Sequence, residues 1–171
     1  MSRRTPQATL KRRPFMEAVR EACREQLPAA QRQFESRLTM NLLKVHFNPN
    51  FRIHYEVMIS AERGVVEIGL HFEDGPESTT RLLEHFDCHV IEIKHELGTS
   101  VELERWTASW GHIRDVWPLE PLTSSFAVSL GERLAEMIVT LQPMLDDAFE
   151  RGLAPVEPGP SRFTRGAGRW R

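Results

Sequence analysis

Two alternating segments limit what this chain can fold into more than any other feature. In residues 51–60, Phe51, Ile53, Tyr55, Val57 and Ile59 fall on one face of an extended strand, and Arg52, His54, Glu56, Met58 and Ser60 fall on the other. Residues 65–73 repeat the pattern, with Val66, Ile68, Leu70 and Phe72 set against Glu67, Gly69, His71 and Glu73. Between them Ala61-Glu62-Arg63-Gly64 reads as a four-residue hairpin loop with glycine in a left-handed position. Pairing Ser60 with Val65 then puts Ile59 opposite Val66, Val57 opposite Ile68, Tyr55 opposite Leu70 and Ile53 opposite Phe72. A slip of one residue would set every apolar side chain against a polar one, so the register follows from the alternation.

The rest of the chain is read around this hairpin. Residues 14–46 carry apolar side chains spaced by three and four, from Phe15, Val19, Cys23 and Leu27 to Phe34, Leu38, Leu42 and Val45, which predicts helix broken at Pro28. A second helix is expected from about Glu77 to Leu97, closed by Gly98, and a last one from about Thr123 or Ser124 to Phe149, disturbed at Pro143. Residues 101–107 and 111–117 read as a second, less regular hairpin. The order α(α)-β-β-α-β-β-α predicts an α+β domain over residues 14–150, a two-layer sandwich of helices on an antiparallel sheet of about four strands.

Charge divides the chain differently. The net charge is only −2, yet residues 1–13 hold Arg3, Arg4, Lys11, Arg12 and Arg13 with no acid, and the Pro/Gly-rich end holds Arg162, Arg165, Arg169 and Arg171 with none. The remaining body has 13 basic and 24 acidic residues. Residues 1–13 and 151–171 are expected to be flexible arms, and their nine cationic side chains are the candidate contacts to nucleic-acid phosphates. No apolar run reaches the length of a membrane span, and no apolar stretch follows the N-terminal arginines to make a signal peptide. Two cysteines, Cys23 and Cys88, are too few for a disulfide framework, which points to a reducing cytoplasm.

The polar face of the first hairpin is the best place for chemistry. Its register sets His54 opposite His71, Arg52 opposite Glu73 as a cross-strand ion pair, Met58 opposite Glu67 and Glu56 opposite Gly69. Two imidazoles among three carboxylates make His54, His71, Glu56, Glu67 and Glu73 the candidate ligand or metal residues. His85 and His89 stand four apart on a helix, but Phe86 occupies the place of the glutamate that a zinc-protease motif requires. Glu102, Glu104 and Asp115 could gather on the second hairpin beside Trp106 and Trp117, with Arg105 and Arg114 on the far side and no lysine on any expected strand. Glycine-rich phosphate loops, a Gly-x-Ser-x-Gly elbow and Cys-x-x-Cys are all absent.

The strand "VEIGLHFE", the helix ending in "IEIKHELG", and the strands "VELERW" and "GHIRDVW" before a long helix resemble an uncharacterised bacterial domain family over about residues 65–147. The resemblance implies a domain that occurs alone or beside restriction-endonuclease-like domains, with no assigned activity and no functional residues to carry over. The expectation is a non-enzymatic binding or structural module without a cofactor. The competing readings are a nucleic-acid-associated protein and a metal-dependent hydrolase at the first hairpin. The apolar Phe15, Met16 and Val19 ahead of Pro28 exceed what a small sheet needs to cover, so a homodimer through residues 14–27 is also expected.

Overall fold

The structure, a computed structural model, describes residues 8–159. In chain order it has α1 (Arg12–Gln26), β1 (Glu35–Leu38), β2 (Leu42–His46), β3 (Ile53–Ser60), β4 (Val65–Phe72), α2 (Pro76–Asp87), α3 (Val90–Leu97), β5 (Glu102–Arg105), β6 (Gly111–Pro118) and α4 (Ser124–Glu150). A single 3₁₀ turn, Ala29–Gln31, separates α1 from β1. The hairpin of β3 and β4 has the register that its alternation dictates, from Ile53 opposite Phe72 to Ser60 opposite Val65. Gly64 in its loop has φ +65°.

The sheet has six strands, not four, all antiparallel, in the order β1-β2-β3-β4-β6-β5. The two extra strands lie where residues 28–46 were expected to continue as helix. The spacing of Phe34, Leu38, Leu42 and Val45 suits a helix, but Leu43 and Val45 also alternate with Lys44 and His46. Thr39 N–H donates to Leu42 O at 2.8 Å and closes a tight hairpin between β1 and β2. As strand, β2 gives β3 a hydrogen-bonded neighbour on what would otherwise be a sheet edge, and it buries Leu43 and Val45 completely.

The helix expected over 77–97 is two helices. Cys88 and His89 interrupt it, His89 at φ −105° and ψ 5° serves as the N-cap of α3, and Gly98 caps α3 at φ +94° as expected. In α4 the chain passes Pro143 without a break. Pro143 and Val139, whose carbonyl loses its helical donor there, both lie on the exposed side, where water can take that hydrogen bond.

All the helices pack on the face carrying Tyr55, Val57, Ile68, Leu70, Phe72 and Ile113, every one of them buried. Phe15, Met16 and Val19 of α1 are fully buried there as well, with the Phe15 ring 5.8 Å from Phe126 of α4. Gly131 permits this approach: a Cβ on it would stand 2.6 Å from Ala22 Cβ and 2.8 Å from Val19 O. The apolar side of α1 that suggested a homodimer is therefore consumed within the chain. Asp115 and Arg133 form a buried pair at 2.8 Å, and Arg133 also donates to Leu97 O at 2.6 Å, so one guanidinium ties α4 to β6 and to the end of α3. Among the described residues, no helix is long and apolar enough to cross a membrane.

Candidate functional site

The opposite face of the sheet carries the polar members of each strand. Because β6 pairs with β4, His112 lies directly across from His71, which in turn lies across from His54. The His54 and His71 rings stack at 5.7 Å with 12° between their planes. The His71 and His112 rings meet edge-on at 5.3 Å, and Trp106 stacks on His112 at 5.9 Å. A row of rings thus runs across β3, β4 and β6 to Trp106 just past the end of β5, and its three histidines are all buried.

Carboxylates flank the row. Glu56 Oε2 is 3.3 Å from His54 Nε2 and 3.5 Å from Lys44 Nζ. Glu73 Oε1 is 3.9 Å from His54 Nε2 and 3.8 Å from His71 Nδ1, while its Oε2 takes Lys44 Nζ at 3.3 Å. Burial alone would raise the carboxyl pKa of Glu56, but the His54 contact and the cationic groups around it, Lys44 among them, outweigh burial and hold it below the ordinary value. His71 is pushed the other way. Burial, helped by His54, His112 and Lys44 and opposed by Glu56, brings its pKa down to about 3, so it is neutral at physiological pH.

The structure brings four of the five expected ligand residues together. One donor atom from each of His54, Glu56, His71 and Glu73 lies within 4.8 Å of all the others. Glu67 stands apart: Arg63 Nη1 at 2.6 Å and Arg114 Nη1 at 3.2 Å occupy its carboxylate. The Arg52–Glu73 ion pair does not form. Their backbones pair, with Glu73 N–H donating to Arg52 O at 2.9 Å, but the Arg52 side chain turns to the buried Asp74 at 3.2 Å, leaving Glu73 to Lys44.

The other arrangements dissolve for reasons of facing. Asp115 lies on the helix side of β6 with Arg133 and Trp117, whereas Glu102 and Glu104 lie on the polar side opposite Arg114 and His112, so the three acids never meet. Arg114 shares that polar side and pairs with Glu104 at 2.9 Å. His85 Nε2–H donates to Met144 O at 2.8 Å, and its Nδ1 faces Arg151 at 3.4 Å, so both ring nitrogens are committed to the fold. Of the candidate nucleic-acid residues, Arg12 is held by Asn41 at 2.7 Å and Arg13 by Glu17 at 3.2 Å, and Lys11 is the N-cap of α1. Arg3, Arg4, Arg162, Arg165, Arg169 and Arg171 lie outside the described residues.

Sequence reasoning missed Lys44 and His112, and it grouped Glu104 with Asp115 rather than with His112. Lys44 was hidden by reading its strand as helix, and His112 by the pairing of β4 with β6. A register between the two hairpins would have exposed His112 at once.

Two clefts border the row. The larger, about 670 Å³, lies over β1 and β2 and is lined by Arg37, Leu42, Lys44, His46, Phe51, Arg52 and Glu73, among others. The smaller, about 180 Å³, lies between Glu67, His71, Trp106, His112 and Arg114. Compared with known proteins, the chain matches no family model, no curated protein and no solved structure. What the site does must therefore be argued from its geometry.

Proposed function

We propose that this chain is a non-enzymatic binding module whose recognition surface is the polar face of the sheet, and that the larger cleft takes a small organic anion. The observation that carries this reading is the state of Arg37. Among the described residues its guanidinium has no ion pair and no hydrogen bond, although it lines a cleft whose other cations, Lys44 and Arg52, are already paired. An unpaired fork of donors suits a carboxylate or phosphate. Phe51, 54% exposed at the same cleft, supplies an aromatic surface for the apolar part of such a ligand. A volume of about 670 Å³ falls in the range usual for small-molecule sites.

The non-enzymatic part of the reading rests on where the nucleophiles stand. Cys23 is buried in the core with its thiol pKa pushed up to about 12 by burial, and Cys88 makes no hydrogen bond to His85 or His89. The test is amide chemical-shift mapping with benzoate and phenyl phosphate as probes. Shifts should cluster on β1, β2 and residues 51–53, and Arg37→Ala should weaken both probes by about tenfold, the loss of one charge-assisted hydrogen bond. Shifts on the helical layer, or none at millimolar probe, would defeat the reading.

A further inference from the structure

The row of histidines carries more than a ligand-facing surface. We infer that His54, Glu56, His71 and Glu73 form a binding site for one divalent transition-metal ion, with zinc the best fit to two imidazoles and two carboxylates. This rests on the polar face being the working face of the molecule, but not on the cleft taking an anion.

The first observation is the hydrogen inventory of His54. His54 Nδ1 is 2.9 Å from Phe51 O. A carbonyl only accepts, so Nδ1 carries the hydrogen, and in the neutral ring Nε2 then presents a lone pair. That lone pair faces Glu56 Oε2 at 3.3 Å and Glu73 Oε1 at 3.9 Å, so acceptors point at acceptors. Either a proton or a cation on Nε2 resolves the conflict. The Phe51 carbonyl is also the kind of outer partner that commonly orients a metal-bound histidine by its second nitrogen.

His71 is the second observation. It is 4% exposed, yet neither ring nitrogen makes a hydrogen bond to any described residue. Its closest carboxylate oxygen is Glu73 Oε1, 3.8 Å from Nδ1, beyond hydrogen-bond reach. Neither nitrogen is wholly sealed from solvent, so a lone pair with no protein partner stands open to an arriving ion.

The distances suit a small ion. Bonds of about 2.0–2.1 Å in a tetrahedral shell place donors about 3.4 Å apart. Three of the six separations among these donors are 3.3, 3.8 and 3.9 Å and the other three lie within 4.8 Å, so side-chain movements of about an ångström would close the shell. All four sit on β3, on β4 and immediately after it, so the rigid hairpin register positions them. Lys44 Nζ now balances both carboxylates, and its side chain is 25% exposed and borders the larger cleft, into which an arriving ion would displace it. Four protein donors close the shell, which fits a structural or regulatory ion and leaves no open position for hydrolysis.

The test uses the full chain, treated with chelator and titrated with zinc by calorimetry and with cobalt(II) by visible absorption. One equivalent should bind, and cobalt should give the intense bands of a four-coordinate site. His71→Gln and Glu56→Gln should each weaken binding by more than about 100-fold, beyond the cost usual for an outer partner. A His85→Gln/His89→Gln double variant should bind like the parent. Lys44→Gln should tighten binding by about fivefold, since it removes the cation that competes with the ion for both carboxylates. The Lys44 variant keeps the test open should His71→Gln fail to fold. Absence of stoichiometric binding in both the parent and Lys44→Gln would overturn the inference, as would binding that survives His71→Gln and Glu56→Gln. Neither result touches the binding of benzoate at Arg37, which succeeds or fails by its own measurement.

Discussion

Burial takes most of the basicity from His71, and that has a consequence for stability. Its folded pKa of about 3 lies below the value near 6.5 of an unfolded chain. Below pH 6.5 the unfolded chain takes up a proton that the folded protein refuses, so stability falls as pH falls, until the folded pKa is reached. The slope across that window is about 1.4 kcal/mol per pH unit for one such group. The groups facing His71 are His54 and Glu56 from β3, Lys44 from β2, Glu73 beyond β4 and His112 from β6, and Glu56 acts in the same direction because its own pKa is depressed. Urea midpoints of chelator-treated protein should therefore drop steadily from pH 7 to pH 4, and His71→Gln should make the decline shallower. An equal decline in both proteins would mean that His71 titrates normally.

At the scale of elements, the close contact of α1 with α4 depends on one missing side chain. The atoms that a Cβ on Gly131 would meet include backbone, Cys23 N at 2.7 Å and Val19 O at 2.8 Å, which no rotamer change can move aside. Gly131→Ala should gain about 1 kcal/mol of helix propensity yet still lose stability, since overpacking at such a contact costs about 1–3 kcal/mol and forces the two helices apart. Denaturant unfolding checks the sign. A stabilised variant would show that α1 shifts freely on α4. The β4–β6 contact makes a similar demand at Gly69, where a Cβ would collide with the carbonyl oxygen of Ile113 in the neighbouring strand.

For the molecule as a whole, the division of labour between the two faces of the sheet is the main result. One face is covered by the helices, and the other holds the row of three buried histidines and the two clefts that border it. The placement of α1 in the first layer carries its own prediction. Val19 is fully buried beneath α4, so Val19→Asp should cost several kcal/mol, on the order of the penalty for an unpaired buried charge, with the same loss at every protein concentration. A cost that shrinks as protein concentration rises would instead place α1 at an interface between copies.

Strict alternation settled β3, β4 and their register from the sequence alone, because a period of two along adjacent segments leaves one pairing that matches apolar to apolar. The same local logic set the stop of α1 before Pro28, both ends of α4 and the Gly98 cap, and it put His54 across from His71, while α1 starts at Arg12 inside the segment expected to be a flexible arm. Tertiary structure decided the rest. Residues 35–46 fit both a helical and an extended pattern, and the open edge of β3 selected strand. The partner of Arg52 depended on Asp74, which lies beyond the paired segment and was not in the hairpin arithmetic. The third histidine joined the row only because β6 docks on β4, a contact between segments some forty residues apart that no local pattern encodes. Alternation can tell which side chains share a face of one hairpin, but a site that spans the sheet exists only once the strands choose their neighbours.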